Sequence, residues 1–193
     1  MKWNLALGTC CLLLLVLNVA LFRQNRALKA QLSEPPPSLE VRAGTEVPDL
    51  DGFDLHGAPL NVRYGSDSRK VLLLVFAPQC KFCKVNWPRW EELIAQADSR
   101  NVRIVAVDVT STSTEDFVVQ HRLNQLPVFL SLDPRVTVRY HLQITPQTIL
   151  IDPHGKVEKT WSGVLSESAF SEVKERAGIE GRVVSSQGIH PAF

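Results

Sequence analysis

VLLLVFAPQCKFCKVNWP, running from Val71 to Pro88, is the stretch that decides the fold of this chain. It opens on the unbroken apolar run Val71 to Phe76, the mark of a strand buried on both faces. Beyond Ala77-Pro78-Gln79 the period changes. Trp90, Leu93, Ile94 and Ala97 fall on one face of a helix expected from about Cys80 to Ala97. Cys80 and Cys83 therefore lie where a buried strand passes into a helix. Backbone N–H groups at a helix start are unsatisfied, and the dipole there is positive. Both favour thiolate over thiol at Cys80, and Lys81 and Lys84 add positive charge. Cys83, one turn on and further inside, shares a face with Cys80 and can close a disulfide with it. Cys80 is the candidate nucleophile of a mixed disulfide, and Cys83 the candidate resolving thiol.

Outward from this segment, strands and helices alternate. Gly44 to Leu60 holds turn residues around short apolar pieces, which predicts a small hairpin. Val102 to Val109 (VRIVAVDV) reads as a second buried strand. Thr112 and Glu115 have capping-box spacing, so a helix is expected from there towards Asn124. Leu126 to Leu132 reads as a strand. Pro134 to Tyr140 (PRVTVRY) has β-branched strand character, although a short helix would suit the layout better. TILID (Thr148 to Asp152) and VEKTWSG (Val157 to Gly163) flank a turn at Pro153 to Lys156 and predict a hairpin. Ser166 opens a last helix that stops near Gly178. Residues 179–193 show no pattern and read as a loose tail. The sum is an α/β domain, a mixed central sheet flanked by helices. Trp87, Trp90 and Trp161 are expected in its core or around the site.

The N-terminus reads differently. Leu5 to Phe22 (LALGTCCLLLLVLNVALF) carries no charge and would span about 27 Å as a helix, close to a thin bilayer core. A buried soluble helix and a cleaved signal peptide are the alternatives. The core is long for a signal peptide, and Asn18-Val19-Ala20 is a poor cleavage site. The expectation is a single transmembrane helix, with residues 1–30 forming the anchor and juxtamembrane helix. Cys10 and Cys11 are then small apolar packing residues. Residues 31–43 hold Pro35-Pro36-Pro37 and read as a stiff linker, residues 44–178 as the domain. Basic residues after the anchor (Arg23, Arg26, Lys29) would by themselves leave the domain in the cytoplasm. The chain has 193 residues, is 45% hydrophobic and carries a formal net charge of +1, which excludes a strongly basic nucleic-acid binder and an acidic disordered protein. No nucleic-acid partner is expected.

A second constellation precedes the TILID strand: Ile144-Thr145-Pro146-Gln147-Thr148. A cis Thr145–Pro146 bond would turn the backbone of residue 145 towards the cysteines, where an incoming peptide could pair with it as an added strand. A trans proline in a plain loop is the alternative. A zinc site would need two more ligands beside the CxxC, yet no second CxxC or HxxxH exists and the five histidines stand singly, each read as a surface residue. No metal and no cofactor beyond a redox-active Cys80–Cys83 disulfide is expected.

With these two constellations the chain resembles the thioredoxin superfamily, more narrowly the membrane-anchored, extracytoplasmic TlpA/ResA-like thiol:disulfide oxidoreductases with a redoxin-type domain. The resemblance runs from about Gly44 to Gly178. Its motifs are GTEVPDLDGFDLHG, VLLLVFAPQCKFCKVNWP, VRIVAVDV, the inserted EDFVVQHRLNQLPVFLSLD, YHLQITPQTILIDPHGKV and WSGVLSESAF. It implies a thioredoxin-like fold with an N-terminal hairpin and a central αβ insertion. It also implies an active-site helix bent at Pro88 and a domain outside the inner membrane, facing the periplasm or cell exterior. That layout overrides the basic residues after the anchor. Partners implied are exported or membrane proteins with reducible cysteines, apocytochrome c among them, an upstream membrane electron donor, and the bilayer through residues 5–22. Lys81, Phe82, Thr145 and Pro146 are the candidate substrate-binding residues. Pro78, Gln79, Asn86 and Pro88 are the candidates for shaping the site. Three departures bear on chemistry. Gln79 stands where the family usually has tryptophan, Lys81-Phe82 lacks the frequent proline, and Asn86 replaces an acidic residue that could move protons. Lys81 would make the pair more oxidising, whereas the resemblance implies a reductant. Two rivals on the same fold are a peroxidase, which would want Thr or Ser where Ala77 stands, and a Cu(I) metallochaperone using both thiolates and a histidine such as His141.

Overall fold

The computed structural model describes residues 15–25, 39–97 and 101–179. The chain forms two units, 1–38 and 39–193. In the first, residues 15–25 are helical, and Leu15, Val16, Leu17, Val19, Leu21 and Phe22 are exposed. No helix among the described residues is long and apolar enough to cross a membrane. Residues 5–14 of the expected anchor, with Cys10 and Cys11, lie outside the described residues, as do residues 26–38 with the three prolines.

The second unit is built on two sheets. Strands β1 (Leu50–Phe53) and β2 (Pro59–Val62) form the expected hairpin. β3 (Lys70–Phe76) leads into helix α1 (Lys81–Gln96), followed by β4 (Val102–Asp108) and α2 (Glu115–Gln120). β5 (Val128–Phe129) and β6 (Ser131–Leu132) complete with α2 the inserted segment 115–133, α3 (Pro134–Arg139) follows it, and β7 (Gln147–Ile151), β8 (Val157–Ser162) and α4 (Glu167–Ala177) come last. The larger sheet has the order β5-β4-β3-β7-β8, the smaller β2-β1-β6. β3 lies at the centre, parallel to β4 and antiparallel to β7. Alternate residues of a strand point to opposite faces. Leu72, Leu74 and Phe76 accordingly pack under Trp87, Trp90, Leu93 of α1 and Phe170, Val173 of α4. Val71, Leu73 and Val75 pack on the other face with Leu50, Val136 and Tyr140. That two-sided burial is why the strand reads as an unbroken apolar run.

Several local expectations need correction. The cap of α2 is Thr114, whose side chain accepts the Phe117 N–H, not Thr112; α2 ends at Gln120 and gives way to a 3₁₀ turn, Leu123–Gln125. The expected strand Leu126 to Leu132 is broken at Leu130, whose N–H bonds to Phe53 O, so that its two halves serve different sheets. Pro134 to Arg139 is helical. Asp133 caps it through the Arg135 N–H, and Pro134 occupies the first turn, where its missing N–H costs nothing; these end signals override the β-branched interior. The second unit begins at Leu39 rather than Gly44: Val41 is buried, and its carbonyl accepts the Thr160 hydroxyl at 2.9 Å. Ile179, placed in the loose tail, is buried in the core, whereas residues 180–193 lie outside the described residues. His121 is not a free surface residue. It stacks on Trp87 with ring centroids 4.1 Å apart and bonds Glu91 at 2.8 Å.

Candidate active site

Sheet order brings the two constellations together. Val75, near the end of β3, pairs with Gln147, the first residue of β7. The turn after β3 and the turn before β7 are thus neighbours at one end of the sheet. Cys80 has extended backbone angles and caps α1, with its sulfur accepting the Cys83 N–H at 3.2 Å. The Cys80 N–H donates to Ala77 O at 3.0 Å, closing the turn that starts the helix. Thr145–Pro146 is cis. The Thr145 carbonyl accepts the Cys80 thiol at 3.7 Å.

The two sulfurs differ sharply. Cys80 is partly exposed, and Cys83 is fully buried; both are free thiols. Burial by itself would raise the Cys80 pKa. It is outweighed by hydrogen bonds from the Cys83 side chain, with Thr145 and the Cys83 and Phe82 backbone, so the Cys80 thiol lies below its ordinary value. The Cys83 thiol is pushed up to about 12, first by burial and then by its hydrogen bond to Cys80. The asymmetry expected from helix position is present: burial leads the rise at Cys83, whereas local hydrogen bonds outweigh burial at Cys80. One thiol is accessible and easily ionised; the other is covered and held neutral.

Around them, Lys81 and Gln79 are exposed, Phe82 is 66% exposed and Val85 lies exposed one turn on. Pro78 and Pro146 are buried. α1 runs continuously through Pro88, which is exposed and leaves the Lys84 carbonyl without its intrahelical partner. Asn86 is 0% exposed, with Nδ2 donating to Gly163 O at 3.2 Å and Oδ1 accepting the Leu165 N–H at 2.9 Å. The partners at 163 and 165 are backbone groups in a loop after β8, so no side-chain motif announces them. Gln147 was equally hidden. It is fully buried beside Pro146, and its Nε2 donates to His141 O at 3.1 Å and to Leu39 O at 3.4 Å. Among the described residues, no three His, Cys, Asp or Glu side chains converge as a metal site.

Residues 43–160 match the AhpC/TSA family. The chain belongs to that family. It is similar to the thiol-disulfide oxidoreductase ResA of Bacillus subtilis, 29% identical over 136 residues that make up 68% of this chain and 74% of the relative. The protein of the same name from Halalkalibacterium halodurans is 26% identical over 70% of this chain and 77% of the relative. A solved thiol:disulfide interchange protein from Bacteroides sp. superposes with a TM-score of 0.55 at 19% identity, covering 76% of this chain and 96% of that one, a likeness of fold. The fold is thioredoxin-like, and the family member is a thiol-disulfide oxidoreductase.

Proposed function

We propose that this oxidoreductase exchanges two electrons with disulfides of exported proteins through Cys80 and Cys83, tethered by residues 5–22. The observation that carries the reading is the pairing of an accessible, hydrogen-bonded Cys80 sulfur with a buried Cys83 thiol one turn away. In the reducing direction, the Cys80 thiolate attacks one sulfur of the partner disulfide. That S–S bond breaks, a mixed disulfide forms, and the departing partner sulfur takes a proton. The Cys83 thiol then loses its proton and attacks the Cys80 sulfur, releasing the second partner thiol and leaving a Cys80–Cys83 disulfide. An upstream membrane dithiol donor restores the reduced pair. The reverse sequence oxidises a partner dithiol. Burial helps the order of events, because a neutral Cys83 does not compete for the partner and ionises only as it attacks.

The partner is bound by an exposed rim of Lys81 and Phe82 and by the Thr145–Pro146 backbone, which offers pairing groups to an extended peptide. Pro78, Gln79, Asn86 and Pro88 shape the turn and helix around it. The tether is supported by the uncharged run from Leu5 to Phe22 and by the exposed apolar side chains of its described part. The domain then lies outside the cytoplasmic membrane, facing the periplasm or cell exterior.

A Cys83→Ala variant tests the reading. It should freeze the Cys80 mixed disulfide, and mass spectrometry of the trapped species should name cysteine-bearing exported proteins; wild-type dithiol should reduce insulin. Trapping of nothing in the variant, together with peroxide consumption or tight Cu(I) uptake by the wild type, would replace this reading with one of its rivals.

A further inference from the structure

We propose that Asn86 is a positioning residue that sets the Thr145–Pro146 backbone against Cys80. The inference rests on the dithiol reading above and adds a part to it. Asn86 lies one turn beyond Cys83 on α1. Its carboxamide grips a loop at both ends: Nδ2 donates to Gly163 O, and Oδ1 accepts the Leu165 N–H. The Gly163 N–H in turn donates to Pro146 O at 2.8 Å. Thr145 O faces the Cys80 sulfur at 3.7 Å, and Cys80 caps the helix that carries Asn86. These links close a ring from α1 through Asn86, Gly163 and Pro146 back to the cap of α1.

The ring has a purpose that pairing alone does not serve. The β7–β8 ladder ends at Gln147 and Ser162, and Gly163–Pro146 is the bond just beyond it. Ends of hairpins open most readily. Without a clamp, the backbone that would pair with an incoming peptide sits at the open end of this hairpin. Asn86 ties that point to the helix that fixes the nucleophile. Only a carboxamide does this at such a position. A carboxylate has no proton for Gly163 O and is costly to bury, and an aliphatic side chain leaves both backbone groups unpaired. Because asparagine does not titrate, the clamp holds at every pH.

Two reactions of the reduced full-length chain in detergent separate positioning from general support. Iodoacetamide needs only the Cys80 sulfur, whereas insulin must also dock its backbone. Asn86→Ala should slow insulin reduction about ten- to hundredfold while iodoacetamide alkylation, measured at a pH where Cys80 is fully ionised, stays within about twofold. Asn86→Asp should give an insulin-to-iodoacetamide ratio that falls as pH rises, since the protonated acid can donate to Gly163 O and the carboxylate cannot; the wild-type ratio should stay flat. Loss of both rates in parallel, or of neither, would overturn the proposal. If the wild-type chain does not reduce insulin at all, the oxidoreductase mechanism fails instead, and amide exchange decides the clamp. Faster exchange at Gly163 in Asn86→Ala, with β3 amides unchanged, supports it; unchanged Gly163 exchange refutes it.

Discussion

At Cys80 the competition is between desolvation and hydrogen bonding. A sulfur partly withdrawn from water would hold its proton, but the Cys83 thiol and backbone N–H groups at the helix start offer the anion more than burial takes away. At Cys83 burial, and then the bond to Cys80, outweigh the smaller opposing contacts with Ala77 and Thr145, and its pKa goes up to about 12. Alkylation of the reduced chain should therefore show one reactive thiol, with a half-maximal rate at a pH below that of free cysteine, about 8.5. Cys83 should stay unmodified across the same range. Peptide mapping after a pH series of iodoacetamide pulses checks both statements, and a Cys80 profile indistinguishable from free cysteine would refute the first. Phe82 acts through exposure instead. Its ring is 66% exposed beside the nucleophile, with Val85 one turn away, and burying it against a partner is worth about 1.5–3 kcal/mol. Phe82→Ala should weaken mixed-disulfide trapping about tenfold or more without abolishing insulin reduction. Equal trapping by both proteins in the Cys83→Ala background would show that no partner covers it.

At the scale of elements, capping and close approach decide where the chain turns. Asp108 ends β4 and accepts the N–H groups of Thr110, Thr112 and Ser113 and the hydroxyls of Thr110 and Ser113. A buried carboxylate with this many donors organises a loop and is not a spare acid for catalysis. Ser166 and Gly178 bracket α4 as the sequence predicts, with Gly178 at φ 67° where L side chains are strained. Gly52 is required for a different reason. A Cβ there would lie 2.1 Å from Ser131 O, inside the contact between β1 and β6. Gly52→Ala should destabilise the domain by about 1–3 kcal/mol through forced separation of these strands. A denaturant midpoint unchanged from wild type would refute it. Thr112 shows how a motif can mislead: its spacing to Glu115 suits a capping box, but its hydroxyl is engaged with Thr110, and Thr114 does the capping.

At its rim the second unit carries charged networks whose pH dependence has a definite sign. Glu172 accepts from Lys159 at 2.8 Å, from the Trp161 indole at 3.1 Å and from Arg176 at 2.7 Å, tying α4 to β8. Those bonds, Lys159 first, bring its pKa from 4.5 to about 2. A carboxylate lowered on folding stabilises the native state above its unfolded pKa, and that contribution is lost as pH falls through the folded value. Stability should hold above pH 4.5 and decline towards about pH 2. Glu172→Gln should flatten part of that decline, because the amide no longer titrates. Thermal midpoints between pH 2 and 6 measure it, and an acid limb identical in both proteins would exclude Glu172 as a contributor. Asp67 and Asp133, also lowered to about 2 by their bonds to Arg69 and Arg135, act in the same direction over the same range.

Sequence by itself determined the strand–turn–helix around Cys80, the closing hairpin and the final helix, because each is written in local periodicity and end signals. Val71 to Phe76 is apolar on both faces, and Ser166 and Gly178 are unambiguous terminators. It also sorted the exposed cysteine from the inner one, since residue spacing on a helix fixes relative depth. The cis Thr145–Pro146 turn facing Cys80 was likewise legible, from a proline at a strand start set beside the CxxC. Tertiary structure alone decided how residues 126–132 divide between two sheets and that Asn86 reaches Gly163 and Leu165. The physical reason is common to both. Each depends on hydrogen bonds to main-chain groups far away in the chain, and main-chain groups are the same for every amino acid, so they leave no mark in the residues themselves.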